Sequence, residues 1–443
     1  MAFIRPFRGL RYNPQKISDL ASVMSLPYDV LSSQDREELY QANPYNIVRL
    51  IWGKELPGDD AKENTYLRAA RLLREWEGQD ILVREEAEAF YLYAQDFSLA
   101  GGEERSRRGI IARVRLEDLN SDTILRHEST FPVPKADRLN LLRTTQANLD
   151  PIFTLYEGGP GRGPRAIMDE GMRKPPLFDF RDREGVRHRL WAMKEPSDHA
   201  AIVREMAEQP LLFIADGHHR YEASLLYRQE RMEREGGSSK EDSGCHYTMM
   251  VLVAMEDPGL VILPVHRLIG GIEGWDLKGF LKKAKEFFLV EEARLPSKEE
   301  ERQRFISERL EKVKGRTHGF GLYAGGDSIF FLSLDEAKGN LLPEERIPEE
   351  IRRLDVTILD RLILEGLLGL LSPEQKEKVG FTPDLQEALH QVREGAYDLA
   401  FLLKPTSLSE VMSVSLAGGR MPQKSTYFHP KLLSGLVINR FDP

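Results

Sequence analysis

Acids, histidines and cations crowd into a few short stretches of this chain. The densest is Ile214–Tyr221, IADGHHRY, set between the apolar QPLLF and EASLLYRQERMERE. An apolar run that gives way through a glycine to a helix start presents backbone N–H groups, and the helix end adds roughly half a positive charge. Gly217 permits close approach of an anion to that backbone. Arg220, in the first turn, can grip phosphate oxygens in pairs. His218 and His219 can donate hydrogen bonds or carry protons near neutral pH. Asp216 would repel phosphate and needs another role: metal ligand, general base or orienter of a histidine. The competing structural reading is a helix capped by Asp216, with both histidines as satisfied surface groups.

Three other stretches carry chemistry. Leu125–Phe153, LRHESTFPVPKADRLNLLRTTQANLDPIF, holds His127, Glu128, Thr130, Lys135, Asp137, Arg138, Arg143 and Asn148 in a weakly periodic run. No second histidine follows His127-Glu128 at helical spacing, so this is no zinc-protease signature. A His/Glu pair beside Lys and Arg suits acid–base work on a charged substrate; a solvated loop with internal charge pairs is the alternative. In LPVHRLI, His266 and Arg267 interrupt an apolar strand and need partners if they face a core. Gly418–Lys431, GGRMPQKSTYFHPK, sets Arg420, Lys424, Lys431 and His429 beside the hydroxyls of Ser425 and Thr426, a phosphate-contact composition that surface loops also share. SLPYDV adds Asp29 near the amino terminus.

These residues must be positioned by a sizeable scaffold. With 443 residues, 41% hydrophobic, the chain can bury a large core, and its length suggests two or three structural units. A net charge of -9 argues against coating nucleic acid. One cysteine, Cys245, excludes an internal disulfide and a cysteine-built zinc site. No apolar run reaches bilayer length, so a cytoplasmic protein without a membrane segment is expected. Helices are predicted over Ser33–Asn43, Glu63–Gly78, from Ser197 to Gln209, and from about His219 to Glu235. AFYLYAQDFSL and RRGIIARVRL form a predicted hairpin, as do HYTMMVLVAM with LVILPVHRLI, and the two halves of GFGLYAGGDSIFFLSL. Asn120–Asp150 reads as irregular. LDVTILDRLILEGLLGLL is an apolar helix, YDLAFLLK a strand, and Ser407 with Glu410 caps a short helix. Strands and helices interleave without strict alternation, which predicts an α+β (mixed α/β) fold. The expected division is a core domain over 1–270, an α+β structural subdomain over 271–345, and a segment over 346–443 that returns the basic loop 418–431 to the site.

Across nearly its full length the chain resembles an uncharacterised prokaryotic family, domain of unknown function 1015, through RPFRGLRY, LPYDV, RHEST…PKADR, ANLDPIF, IADGHHRYEA, LPVHRLI and MPQKSTYFHPK. That family name implies no activity. Locally, over about Leu211–Leu226, DGHHRYEA resembles the phosphate-binding turn of the ParB/sulfiredoxin superfamily, in particular its free-serine kinase branch. In sulfiredoxins the equivalent turn carries a catalytic cysteine; His218 stands there in this chain, so sulfinic-acid reduction is not expected. The resemblance implies a ParB/sulfiredoxin-like core with several hairpins and an added subdomain. It also implies nucleotide-phosphate contact by Gly217, His218, His219 and Arg220, and serine or phosphoserine as substrate. Kinase members use an acid from elsewhere in the chain as base, and Glu128 and Asp29 are the candidates on chemistry alone.

The expected function is phosphoryl transfer on a small metabolite, free serine by the resemblance, with ATP or ADP and Mg2+ as cofactors and a small phosphorylated molecule as ligand. The alternatives are a phosphatase or other hydrolase and a nucleotide-sensing regulator. Catalytic candidates are Glu128, His127, Asp216 and His218. Lys135, Arg138, Lys424, Ser425 and Thr426 join the turn in holding phosphate, while Asp29, His266, Arg267 and His429 contact substrate. Asp216 and Glu128 are the metal-ligand candidates. No nucleic-acid partner is expected, and a homo-oligomer is compatible with the sequence.

Overall fold

The computed structural model describes residues 2–99, 101–119, 121–159, 163–235, 243–314, 318–335, 347–372 and 378–441. The chain divides into two compact units. Unit 1 comprises Met1–Arg126, Thr130–Val261 and Pro430–Pro443, and unit 2 comprises His127–Ser129 and Ile262–His429.

Unit 1 contains β1 (Ile4–Arg5), α1 (Ser33–Ala42), α2 (Thr65–Gly78), β2 (Phe90–Ser98), β3 (Glu104–Arg115), β4 (Ile124–Leu125), α3 (Pro132–Thr145), β5 (Ile152–Tyr156), β6 (Phe178–Arg181), β7 (Arg187–Met193), α4 (Pro196–Ala207), β8 (Leu212–Asp216), α5 (His218–Arg234) and β9 (Tyr247–Ala254). Nine of its strands form one sheet, in the order β4-β8-β5-β9-β3-β2-β7-β6 with β1 on β3. β4–β8 and β5–β9 run parallel, and the other pairs are antiparallel. The core gathers Leu92, Ile110, Ile152, Leu212, Ile214 and Leu252 from the central strands. β5, β8 and β9 read as near-continuous apolar runs because both their faces are buried.

Unit 2 contains β10 (His266–Ile269), α6 (Leu277–Ala284), β11 (Phe288–Arg294), α7 (Glu299–Lys314), β12 (Gly319–Tyr323), β13 (Ser328–Leu334), α8 (Asp355–Ile358), β14 (Val379–Thr382), α9 (Leu385–Arg393), β15 (Leu399–Leu402) and α10 (Leu408–Leu416). α8 continues into wide π-helical turns over Leu359–Leu367. Its sheet is antiparallel, in the order β11-β13-β12-β15-β10-β14. Alternate residues of β15 feed different cores: Leu399 and Phe401 on one face, Ala400 and Leu402 on the other. β11, β12 and β13 thus share one sheet with β10, β14 and β15.

A mixed α/β fold is what forms, and the hairpins β2–β3 and β12–β13 are present as predicted. Two local readings are corrected. The hairpin expected across EDPG is absent, since β9 pairs with β3 and β5 while β10 joins the other sheet. Asn120–Asp150 is not irregular throughout, because α3 fills 132–145. Two prolines disguised that helix. Pro132 and Pro134 sit in its first turn, where backbone N–H groups have no intrahelical partner to lose. Among the described residues no helix is long and apolar enough to cross a membrane.

Candidate functional site

The densest motif folds as its residue types require. β8 is buried through Ile214, then its register on β5 shifts between Ile214 and Asp216, a bulge that re-aims the strand end. Gly217 follows with φ 95°, in the left-handed region that favours glycine, and serves as N-cap of the 17-residue α5. No side chain caps that helix. Asp216 is therefore the last strand residue and not the cap. Arg220 folds back over the turn: a Cβ on Gly217 would lie 3.0 Å from its guanidinium. Arg220 is anchored by donating to the Pro151 carbonyl.

Asp216 finds its partner 215 residues away, where Lys431 Nζ donates to Oδ2 at 2.8 Å. Arg220 Nη2 lies 4.0 Å from Oδ1. Burial alone would push the Asp216 carboxyl up, but Lys431, Arg220 and His218 outweigh it and hold the group well below the usual carboxylate range. Lys431 is delivered through its backbone. Gln95 Nε2 donates to the Lys431 carbonyl at 2.9 Å, and Arg107 donates to the Pro430 carbonyl and to Gln95. Arg107 is buried deeply enough that its pKa falls to about 10.

Asp29 and Arg138 belong to the same neighbourhood. The Arg138 guanidinium stacks 3.8 Å from the centroid of the Tyr28 ring and pairs with Asp137. Burial works against the charge on Arg220, yet Asp216, Asp150, Asp29 and Tyr28 prevail and raise its pKa. Burial raises the Tyr28 phenol in spite of Arg138.

The first turn of α5 is also tied to α3. The Phe131 N–H, at the α3 N-cap, donates to His219 Nε2 at 2.9 Å, which requires that nitrogen to be unprotonated. Glu222, which sequence reasoning missed, takes hydrogen bonds from Thr130 Oγ1 (2.6 Å), Lys135 Nζ (3.1 Å) and Arg126. These partners overcome its burial and lower its pKa. Lys135 is thus engaged by a carboxylate. The signal available was an acid one helical turn after His218, in a chain whose RH…K stretch needed a counter-charge. Beside Lys135 and Glu222, a cavity of about 760 Å³ runs along α5, bordered also by Leu225, Arg228 and Met232.

The remaining predicted residues lie in unit 2. His127 Nε2 is 3.3 Å from Thr426 Oγ1, and the Lys424 N–H donates to Glu128 Oε1 at 3.4 Å. The Met421 N–H donates to the His127 carbonyl at 2.7 Å, and Glu128 forms a single parallel bridge with Met421. Arg267 donates to the carbonyls of Val265 (2.7 Å) and Lys424 (3.0 Å). His266 Nδ1 accepts the Leu403 N–H at 3.1 Å; burial and neighbouring Arg267 pull its pKa to about 3. Ser425 is buried beside Thr406, and His429 ends a short strand, Tyr427–His429. The predicted set therefore divides: Asp29, Lys135, Arg138 and Asp216–Arg220 in unit 1, with His127, Glu128, His266, Arg267, Lys424, Ser425, Thr426 and His429 in unit 2.

The donor set does not fit a resident metal. No group of three or more His, Cys, Asp or Glu able to hold an ion occurs among the described residues. Asp216 faces two cations.

A family model described as "Protein of unknown function (DUF1015)" matches residues 4–357. The chain belongs to this family. The DUF1015 match takes in the Gly217 turn, α3 and β10, and ends before β14. No curated protein matches the sequence. Solved structures similar to this DUF1015 chain include a conserved hypothetical protein from Pyrococcus furiosus, at 15% identity over 75% of this chain and 95% of that one, with a TM-score of 0.34. A free serine kinase in complex with AMP has 15% identity over 72% and 86%, with a TM-score of 0.32. SbnI with C-terminal truncation from Staphylococcus aureus has 12% identity over 73% and 85%, with a TM-score of 0.35.

Proposed function

We propose that this protein is a nucleotide-dependent phosphotransferase acting on the hydroxyl of a small metabolite, with free serine as the acceptor that the DGHHRYEA turn suggests. The observation that carries the reading is the start of α5, where Gly217 stands at φ 95° with no side-chain cap and basic groups converge on the strand end. The helix N-terminus supplies N–H donors to phosphate oxygens, and Lys431 and Arg220 supply the positive field. Phosphoryl transfer depends on such positioning and charge more than on covalent help from the protein.

Roles follow from the electrostatics. Asp216 is held too acidic to serve as a base at neutral pH, so its task is to orient Lys431 and Arg220. That leaves Asp29, which acts on Arg220 electrostatically, as the unit 1 candidate to accept the hydroxyl proton. Among the described residues no cluster of three or more acidic or histidine donors preforms a magnesium site, so the ion would enter with the nucleotide phosphates.

The test is incubation of the purified chain with L-serine and ATP or ADP, following phosphoserine by 31P NMR, with thermal shifts against ATP, ADP, CTP and phosphoserine alongside. Phosphoserine formation supports the reading. Phosphate release from phosphoserine without nucleotide replaces it with a phosphatase, and nucleotide binding without turnover replaces it with a sensor. No thermal shift from any of these ligands removes the nucleotide reading altogether.

A further inference from the structure

One carboxylate and one guanidinium in unit 1 are buried without full partnership. Arg138 is 6% exposed and Asp150 8% exposed, and among the described residues neither Arg138 Nη1 nor Asp150 Oδ1 has a hydrogen-bond partner. Buried charged atoms left unsatisfied destabilise a fold, and such groups call for a ligand or ordered water. Both residues line one cavity of about 40 Å³, together with Arg220, Ser224 and Thr248. They form no salt bridge with one another: Arg138 gives its other nitrogens to Asp137, and Asp150 is coupled to Arg220 only through space. The volume exceeds the roughly 10–15 Å³ that one water occupies on this measure.

We infer that this cavity binds the zwitterionic head of a small α-amino acid, its carboxylate on Arg138 and its ammonium on Asp150. A simple anion would satisfy only Arg138, and a simple cation only Asp150. A ligand carrying both charges one carbon apart satisfies both and adds no net charge to the cavity. The receptor groups are held in place. Tyr28 stacks on the guanidinium, and Asp150 precedes Pro151, whose carbonyl takes the Arg220 N–H. Arg220 belongs both to this cavity and to the Gly217 turn, so an amino acid here lies next to the proposed phosphate cradle. Arg138, expected from sequence to hold phosphate, becomes a carboxylate receptor, and Asp150 of ANLDPIF gains a role. The inference rests on the phosphotransferase reading for its biological meaning, and on the cavity alone for the ligand class.

The experiment is calorimetric titration of the full chain with L-serine and L-alanine, against ethanolamine, which lacks the carboxylate, and L-lactate, which lacks the ammonium. The expected result is binding of both amino acids and at least tenfold weaker binding of both single-charge analogues. Asp150→Asn, which is isosteric, weakens L-serine at least tenfold. Equal binding of lactate or ethanolamine, wild-type serine affinity in Asp150→Asn, or no amino-acid binding at millimolar concentration overturns the assignment and leaves ordered water only. ADP titrated into the same samples separates the two proposals. A chain that binds L-serine but not ADP keeps this site and loses the kinase reading. One that binds ADP but no amino acid does the reverse.

Discussion

Replacing Lys431 by methionine isolates the buried pair at the heart of the candidate site. The side chains of Lys431 and Asp216 are 10% and 21% exposed, with Nζ and Oδ2 2.8 Å apart. Removing one partner of a buried pair typically costs about 3–5 kcal/mol, because the remaining charge is stranded. Arg220 at 4.0 Å still neutralises Asp216 in part, and a fifth of the carboxylate side chain meets solvent, so about 2–3 kcal/mol is the expected loss for Lys431→Met. For a unit of this size that corresponds to roughly 5–10 °C in Tm. The sign with pH follows from the carboxyl. Its folded pKa lies below the unfolded value, so its stabilising contribution is present above the unfolded pKa, about 3.9, and is lost as pH falls through the folded one. In Lys431→Met the carboxyl pKa rises, so the deficit against wild type is complete at pH 7 and shrinks in acid as the stranded group takes up a proton. The assay is urea denaturation of wild type, Lys431→Met, Asp216→Asn and the double variant at pH 7 and pH 4. The double variant should recover at least about 1 kcal/mol over additivity, since it has no stranded carboxylate. A Lys431→Met protein within about 0.5 kcal/mol of wild type at pH 7, or strictly additive single variants, refutes the pairing.

Three further outcomes are expected. Gly217→Ala forces a left-handed backbone on a β-carbon and brings it against the Arg220 guanidinium at 3.0 Å, so it loses about 1–2 kcal/mol and weakens ADP binding at least tenfold, measured by denaturation and titration; unchanged ADP affinity would remove the phosphate cradle. Glu222→Gln leaves Arg126 and Lys135 facing a neutral amide and destabilises unit 1 by about 1–3 kcal/mol, read by denaturation and by faster amide exchange at the start of α5. His266, with a pKa near 3 and Nδ1 accepting the Leu403 N–H, stays neutral with its proton on Nε2; a two-dimensional 15N NMR titration between pH 5 and 8 should show no movement, and an inflection near 6.5 would place that ring in water.

Features governed by neighbours in the chain were legible in the sequence. A strand ending at a glycine and reopening as a helix is a local matter, because only a residue without a β-carbon takes φ 95° cheaply; the turn at Gly217 formed where the motif required it. The cap at α10 is equally local, with Ser407 and Glu410 exchanging hydrogen bonds across three residues. α3 was hidden by prolines that read as breakers, and β10 by an apolar pattern that states burial without naming the partner strand.

The candidate site itself belongs to the tertiary structure. Composition could say that Asp216 needed a counter-charge, but not that Lys431 would be carried to it by Arg107 and Gln95 gripping backbone carbonyls. Nor could it say that Asp150 and Arg138 would share a cavity without bonding each other, or that Glu222 would claim Lys135. The candidate residues named from the sequence fall in both units. Chain order sets which residues are near at short range, through the few allowed backbone states. Which distant charges meet is decided by the packing of whole sheets and helices, where each apolar face must find cover and the polar groups are carried along with it.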